Sequence, residues 1–199
     1  MARIRCVNRN TEEARQGKVE VGIDVARFGS DYSVITKRKG MCVLAIRKVR
    51  GYNTQEVAGL AWDVAERSRD VSIKIDIGYN QGVYDLLAEW GADITPVNFG
   101  GSADNSEVYA NCAAEMMFNL PINEMYIPKE LLTQTLLEDL PEGQYFYNSR
   151  GQKQLEPKDN RSETTKSCFK NRHGGRSPDE GDSLALCFYE KHINRPMLY

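Results

Sequence analysis

The sequence predicts an α/β fold in which helices flank a mixed β-sheet that contains three antiparallel strands plus parallel strands, with a β-hairpin insertion. Three observations support this fold class. Apolar residues alternate with polar ones through most of residues 19–49, strand and helix periodicities then follow one another, and the short segments YFY and KQL flank a turn. With 199 residues, 41% of them hydrophobic and 27% charged, the chain can bury one sizeable core.

The first half of the chain supplies a three-stranded meander and a helix. Residues 1–18 are polar and without periodicity, so we assign them to an N-terminal tail or linker and residues 19–199 to one globular domain. Thr54 is predicted to cap a helix that runs to about Arg69. The strands of the meander are predicted at about 19–26, 32–38 and 41–49.

The second half alternates strands and helices. Helices are expected after Asn80, at about 106–119 and 129–139, and from Pro178 to about His192. Strands are expected at 71–77 and 93–97, and the hairpin turns at Asn148-Ser149-Arg150-Gly151. This element order is that of the RNase H-like fold.

Cysteine, histidine and hydropathy patterns exclude several classes of protein. The five cysteines are widely spaced and form no C-x-x-C pair, which argues against a disulfide framework and against a zinc knuckle. The two histidines, His173 and His192, lie too far apart for a zinc-helix motif. Apolar runs fall short of membrane-spanning length and the N-terminus has no signal-peptide core, so we expect a cytosolic protein without a membrane partner.

The net charge of −2 conceals a basic segment. Residues 150–176 contain eight Lys or Arg and three acids, so this segment carries +5 and the rest of the chain −7. A surface that faces phosphates and a merely solvated basic loop both fit this pattern.

Two aspartates are predicted to meet at one edge of the sheet. Asp24 ends the first strand, and Asp76 ends the fourth strand just before Gly78. If these strands are parallel neighbours, both carboxylates emerge at the same edge. Each aspartate alone could equally be a turn acid beside glycine.

A third aspartate lies in the last predicted helix. Ser177 as the cap, Pro178 at the first helical position and Glu180 form the pattern of a capping box. Asp182 then falls one turn into the helix, on the face that packs against the sheet, and Asp179 lies close to that face. Acids at close range require cations between them, and Mg²⁺ or Mn²⁺ suits an all-carboxylate site.

Four stretches resemble the C-terminal nuclease domain of the large terminase subunit of tailed bacteriophages, the protein that packages DNA. They are GIDVARFGSDYSVI, IDIGYNQGVYDLL, NSEVYANCAAEMMFNL and SPDEGDSLALCFY, and the likeness covers about residues 19–192. Gly181 and Ser183 stand where relatives often have alanine, and Pro157-Lys158 stands where they often have Ser-Lys.

The resemblance implies a divalent-metal-dependent endonuclease that cuts concatemeric double-stranded DNA with little sequence specificity. Asp24, Asp76 and Asp182 would bind a pair of Mg²⁺ or Mn²⁺ ions, Lys158 would contact the scissile phosphate or orient the water, and Asp179 and Asp31 are lesser candidate ligands. The DNA-binding candidates are the basic residues Arg27, Arg150, Lys153, Lys158, Lys166, Lys170, Arg172 and Arg176.

The resemblance also implies partners and a cellular place: an upstream terminase ATPase domain, the portal protein and the small terminase subunit, in the cytoplasm of a bacterial host. The chain contains no G-x-x-x-x-G-K-[ST] motif, so we expect the ATPase to lie outside this sequence. Two other functions remain open, a RuvC-like junction resolvase and a non-catalytic module that docks on DNA or the portal. A proofreading exonuclease is disfavoured because Ala26 stands where that group has an acid.

Overall fold

A five-stranded mixed sheet forms the centre of the molecule. The computed structural model describes residues 11–26, 31–78, 81–140, 145–159 and 168–190. The strands are β1 (Val19–Asp24), β2 (Ser33–Lys39), β3 (Cys42–Val49), β4 (Ser72–Asp76) and β5 (Asp93–Val97), in the order β3-β2-β1-β4-β5. β1, β2 and β3 are antiparallel, whereas β4 runs parallel to both β1 and β5. The predicted mixed sheet is therefore confirmed.

Helices cover both faces of this sheet, and the predicted hairpin is present. The α-helices are α1 (Thr11–Ala14), α2 (Thr54–Val64), α3 (Gln81–Glu89), α4 (Cys112–Phe118), α5 (Gln134–Asp139), α6 (Phe169–Arg172) and α7 (Asp179–Phe188). A 3-10 helix spans Lys129–Leu131. The hairpin consists of β6 (Tyr145–Tyr147) and β7 (Lys153–Leu155), paired antiparallel.

The alternation of side chains along the strands divides the core into two layers. Val21, Ile23, Ile73 and Ile75 are fully buried on the face covered by α2 and α3. Residues between them, such as Gly22, face the opposite layer, where α7 packs between the sheet and α5. Asp24 and Asp76 follow in this alternation, so they belong to the α7 side of the sheet.

Several predicted helix boundaries were wrong because local hydrogen bonds end or shorten the helices. Asn53, not Thr54, caps α2: its side chain accepts from the Glu56 N–H while the Glu56 carboxylate accepts from the Asn53 N–H. The helix ends at Val64 instead of Arg69, since φ reaches 56° at Glu66.

Two predicted helices in the middle of the chain are also shorter than expected. The segment expected to form a helix at 106–119 becomes helical only at Cys112, because backbone groups of Val108 and Ala110 bond to Lys153 of β7. The predicted helix 129–139 is interrupted at Thr133, whose hydroxyl accepts from the Leu136 N–H and caps α5.

The described part of the N-terminal segment contacts the domain. The carbonyl of Ala14 accepts a hydrogen bond of 2.8 Å from the Met41 N–H, in the turn between β2 and β3. The division of the chain at residue 18 stays a prediction. Within the described ranges, no helix is both long and apolar enough to cross a bilayer, and four of the cysteines are free and buried.

Candidate active site

Asp24 and Asp76 lie side by side at the carboxyl ends of β1 and β4. Ile23 pairs with Ile75 in the parallel ladder, so the next residue of each strand is one of these aspartates. Both carboxylates are half-buried and line one cavity of about 1130 Å³. The predicted meeting of these two acids at one sheet edge is confirmed.

Gly22 brings α7 close enough to add a third acid. A Cβ at position 22 would lie 2.3 Å from the Ser183 carbonyl oxygen and 2.4 Å from the Cys187 nitrogen, so only glycine allows this approach. The Ser183 hydroxyl donates to the Gly22 carbonyl at 3.0 Å and holds the helix there. Asp182, next to Ser183, is thereby positioned in the cavity that contains Asp24.

The start of α7 differs from the predicted capping box. Pro178, not Ser177, is the N-cap residue, and it makes no side-chain capping hydrogen bond. Glu180 is buried and accepts hydrogen bonds from Lys48, Thr133 and Thr135 instead of from the backbone at position 177. The prediction failed because these partners come from β3 and the start of α5, which no local pattern reveals.

Asp139 caps α7 from a neighbouring helix. Its carboxylate accepts from the Gly181 N–H at 3.1 Å and is ion-paired with Arg176. A Cβ at position 181 would lie 2.8 Å from the Asp139 Cβ, so Gly181 allows α5 to approach. Sequence reasoning missed Asp139, since nothing near the sequence LLEDLP signals a cap for a helix forty residues later.

Burial and the repulsion between neighbouring carboxylates raise the pKa values of Asp24 and Asp76. Removal from water raises the pKa of Asp24 well above its ordinary value, and Asp182, Asp179 and Asp76 raise it further. Burial also raises the pKa of Asp76, against the opposing effect of hydrogen bonds from the Phe99 and Gly78 N–H groups.

Asp179 joins the same cluster from the first turn of α7. It is 7% exposed, and burial, reinforced by Asp182, raises the pKa of its carboxyl to about 6. One oxygen accepts from the Tyr32 N–H at 3.2 Å. Asp179 therefore lies with the three predicted ligands, whereas Asp31 also lines the cavity but is 3.6 Å from the ammonium of Lys170.

Lys158 supplies the positive charge within this cluster. Its ammonium donates to the Asp182 carboxylate and lies 5.5 Å from the centre of the Phe99 ring. Burial opposes the charge on Lys158, but Asp182 and Asp24 outweigh that effect and raise the pKa of the ammonium.

Four carboxylates around one lysine have the donor chemistry that hard divalent cations prefer. Across the ranges the structure describes, no three His, Cys, Asp or Glu side chains are already arranged as ligands of one ion. The Lys158 ammonium contacts Asp182, which it would have to release for that carboxylate to bind a cation. The four aspartates supply oxygen ligands and line one cavity, so they fit a pair of divalent metal ions.

The predicted DNA-binding residues divide into exposed and ion-paired groups. Arg150 is exposed in the hairpin turn, and the Lys153 ammonium lies 5.0 Å from the Phe118 ring centre. Lys170 is 3.2 Å from Asp159 and also contacts Asp31. Arg27 and Lys166 lie outside the described residues.

Two further residues among the predicted DNA-binding set, both arginines, contact acids. Arg172 is ion-paired with Glu156. Arg176 is paired with Asp139 and lies 3.0 Å from Glu138. Part of the charge counted in the sequence is therefore neutralised within the fold, which reduces what these residues can offer to phosphates.

Comparison with solved structures identifies chains that share this fold. The nuclease domain of the large terminase subunit gp2 of bacterial virus Sf6 is similar over 88% of this chain and 90% of its own, with 19% identity and a TM-score of 0.71. A mutant of that domain, solved with manganese and beta-thujaplicinol, has a TM-score of 0.72, 19% identity and coverage of 89% and 90%.

A more distant structure extends the similarity to a second phage. The large terminase nuclease from thermophilic phage G20c, solved with bound magnesium, covers 85% of this chain and 79% of its own, with 15% identity and a TM-score of 0.58. No protein-family model and no curated protein sequence matches the chain. The RNase H-like fold of terminase nuclease domains is thus shown by structure, at low sequence identity.

Proposed function

We propose that this chain is a divalent-metal-dependent DNA endonuclease, the nuclease domain of a phage DNA-packaging terminase. One observation carries the proposal: Asp24, Asp76, Asp179 and Asp182 converge around Lys158 in a single cavity. Burying several carboxylates at one site destabilises a fold, and such clusters are typical of functional sites. Structures of the same fold are named terminase nucleases and were solved with manganese or magnesium.

Asp24 is the central ligand in this proposal. Its carboxylate interacts electrostatically with Asp76 on β4 and with Asp179 and Asp182 on α7, which supports a role in holding both ions. Asp76 would hold one ion and Asp182 the other, with Asp179 beside it. A bound pair of Mg²⁺ or Mn²⁺ ions supplies Lewis-acid stabilisation to the attacking and leaving oxygens of phosphodiester hydrolysis.

In this proposal Lys158 is the catalytic cation, and its ammonium can bind either Asp182 or a phosphate of the DNA. Without metal its ammonium binds Asp182. With Asp182 holding an ion, the ammonium would be available to a non-bridging oxygen of the scissile phosphate, where its positive charge would stabilise the developing negative charge. The exposed Arg150 and the half-buried Lys153 of the hairpin would contact the DNA backbone, which gives salt-sensitive binding with little sequence preference.

The finer context of the activity follows from the same proposal. We infer a concatemeric double-stranded DNA substrate, an ATPase domain upstream, and the portal protein and small terminase subunit as partners in a bacterial cytoplasm. The similarity to the nuclease domain of the large terminase subunit of bacterial virus Sf6 supports this inference.

The proposal is tested by incubating the protein with supercoiled plasmid and Mn²⁺. We expect nicked and linear products, their absence in EDTA, and loss of cleavage in Asp24→Asn. Asp85→Asn changes an exposed acid on α3 and should cut like the parent chain. An intact supercoil at ample protein, or undiminished cleavage by Asp24→Asn, would overturn the assignment. Strong preference for a four-way junction over linear duplex would instead favour a resolvase.

A further inference from the structure

The hairpin displays an unusual number of exposed aromatic rings. Tyr145, Phe146 and Tyr147 are 53%, 44% and 62% exposed, and they occupy all three positions of β6. In the described part of the chain only eight large apolar side chains are exposed, so this one short strand supplies three of them. Such clustering on a surface marks a place of contact with a ligand or partner.

The rings are held in a fixed series by α4. Tyr147 and Tyr145 have ring centres 6.2 Å apart, Tyr145 meets Phe118 edge-on at 5.1 Å, and Phe118 stacks on Tyr109 at 5.9 Å. The inner rings are thus anchored on the body of the domain, and Tyr147 forms the outer end of the series. A flat surface that is already ordered loses little conformational entropy when a planar ligand stacks on it.

Position and charge favour a nucleic acid as the occupant of this surface. Phe118 and Tyr145 line the same cavity as Asp24, Asp76 and Asp182, so the ring series borders the cavity that contains the proposed cleavage site. The Lys153 ammonium lies 5.0 Å from the Phe118 ring centre, and Arg150 is exposed in the adjoining turn. Flat rings interleaved with cations match a strand whose bases offer π-faces and whose backbone is negative.

We propose that Tyr147 and Tyr145 stack with unpaired bases next to the cut site, so that the preferred substrate is duplex DNA containing a locally melted segment. This inference rests on the proposed nuclease function and specifies its substrate. A fully paired duplex hides the faces of its bases in the helical stack, so only splayed or single-stranded bases can reach the rings. Phosphate contacts alone would not distinguish the two forms of DNA.

The test measures binding of two fluorescently labelled duplexes, one fully paired and one with a small mismatched bubble, by anisotropy in Ca²⁺. We expect the chain to bind the bubble about tenfold more tightly, which is the scale of one base stacked on an aromatic ring. Tyr147→Ala and Tyr147→Leu should abolish this preference, whereas Tyr147→Phe should keep it. Trp90→Ala changes an exposed aromatic residue that follows α3 and should have no effect.

Salt dependence separates stacking from phosphate contact. Tyr147→Ala should lower affinity for the bubble without changing the slope of affinity against salt, whereas Arg150→Ala should reduce that slope by about one. Equal binding of the two duplexes by the parent chain would overturn the proposal. A preference that survives Tyr147→Ala would also overturn it and would assign the rings to a protein partner.

Cleavage assays distinguish this inference from the function on which it rests. If Mn²⁺ supports no cutting while the bubble preference and its loss in Tyr147→Ala persist, the nuclease proposal fails and the stacking surface stands. If both duplexes are cut equally well and bound equally well, the stacking surface fails and the nuclease proposal stands. An unfolding midpoint equal to that of the parent chain verifies that each exposed-ring variant is folded.

Discussion

Replacing Asp179 by asparagine should stabilise the metal-free protein. The pKa of this buried carboxyl is about 6 instead of 3.8, so holding it ionised at pH 7.5 costs about 3 kcal/mol. Asparagine is nearly isosteric, carries no charge and can still accept from the Tyr32 N–H, and the pKa of about 6 already includes the effect of that hydrogen bond. The expected net gain is about 3 kcal/mol, or about 6–12 °C in Tm for a domain of this size.

The gain should depend on pH with a definite sign. Because the pKa of Asp179 is raised on folding, the native state binds more protons than the unfolded state between pH 3.8 and about 6, and the native protein loses stability as pH rises through that window. The Asp179→Asn advantage should therefore be absent below pH 3.8 and complete above about pH 6.

Thermal unfolding from pH 3.5 to 8 in EDTA measures this difference, with the exposed Asp85→Asn as the control. In Mn²⁺ the difference in Tm between Asp179→Asn and the parent should shrink or change sign, because bound cations stabilise the parent chain more than a variant that lacks one carboxylate. The reasoning is refuted if Asp179→Asn is no more stable than the parent at pH 7.5 in EDTA, or if its advantage is the same at pH 3.5 and pH 7.5.

Three further predictions concern the supports of the site. Gly22→Ala should destabilise the protein by at least about 1–3 kcal/mol in urea unfolding, because the added Cβ would meet the α7 backbone at 2.3 Å. Gly59→Ala in α2, where no atom lies within 4 Å of the added Cβ, should be neutral or stabilise by up to about 1 kcal/mol. Equal effects of the two substitutions would contradict this packing. Asp139→Ala should cost about 2 kcal/mol in urea unfolding, since it leaves the Gly181 N–H without its acceptor and removes one of the two carboxylates beside the half-buried Arg176. A loss below about 1 kcal/mol would show that this cap is dispensable. Lys158→Met should raise Mn²⁺ affinity in calorimetric titration, because it removes the ammonium that competes for Asp182. The same substitution should lower kcat for plasmid cleavage by about 100-fold. Weaker Mn²⁺ binding by the variant would argue against direct competition.

The sheet and two of its acids could be predicted because each follows from a local pattern. Alternating apolar residues define β1 and β4, and an aspartate at the end of each strand is visible in the sequence. Given parallel neighbours, geometry alone brings Asp24 and Asp76 together. Asp182 could be placed on the sheet-facing side of its helix from periodicity.

The parts that could not be predicted depend on contacts between distant segments. Glu180 had the spacing of a capping-box acid, but Lys48 from β3 and the start of α5 take its carboxylate. Arg172 and Arg176 had the charge of a phosphate-binding surface, yet the fold places acids beside both. Net charge along a segment does not reveal such pairing, because Glu156 is already counted in the basic segment whereas Asp139 lies outside it.

The contact between Gly22 and α7 has a consequence for the order of events during synthesis. The Ser183 hydroxyl donates to the Gly22 carbonyl, so the packing around β1 is complete only after α7 has been synthesised, 161 residues later in the chain. A nascent chain can expose Asp24 and Asp76 while Asp182 has not yet left the ribosome. A contact between residues so far apart in the sequence forms late in folding. The proposed metal site is therefore incomplete until α7 packs against the sheet.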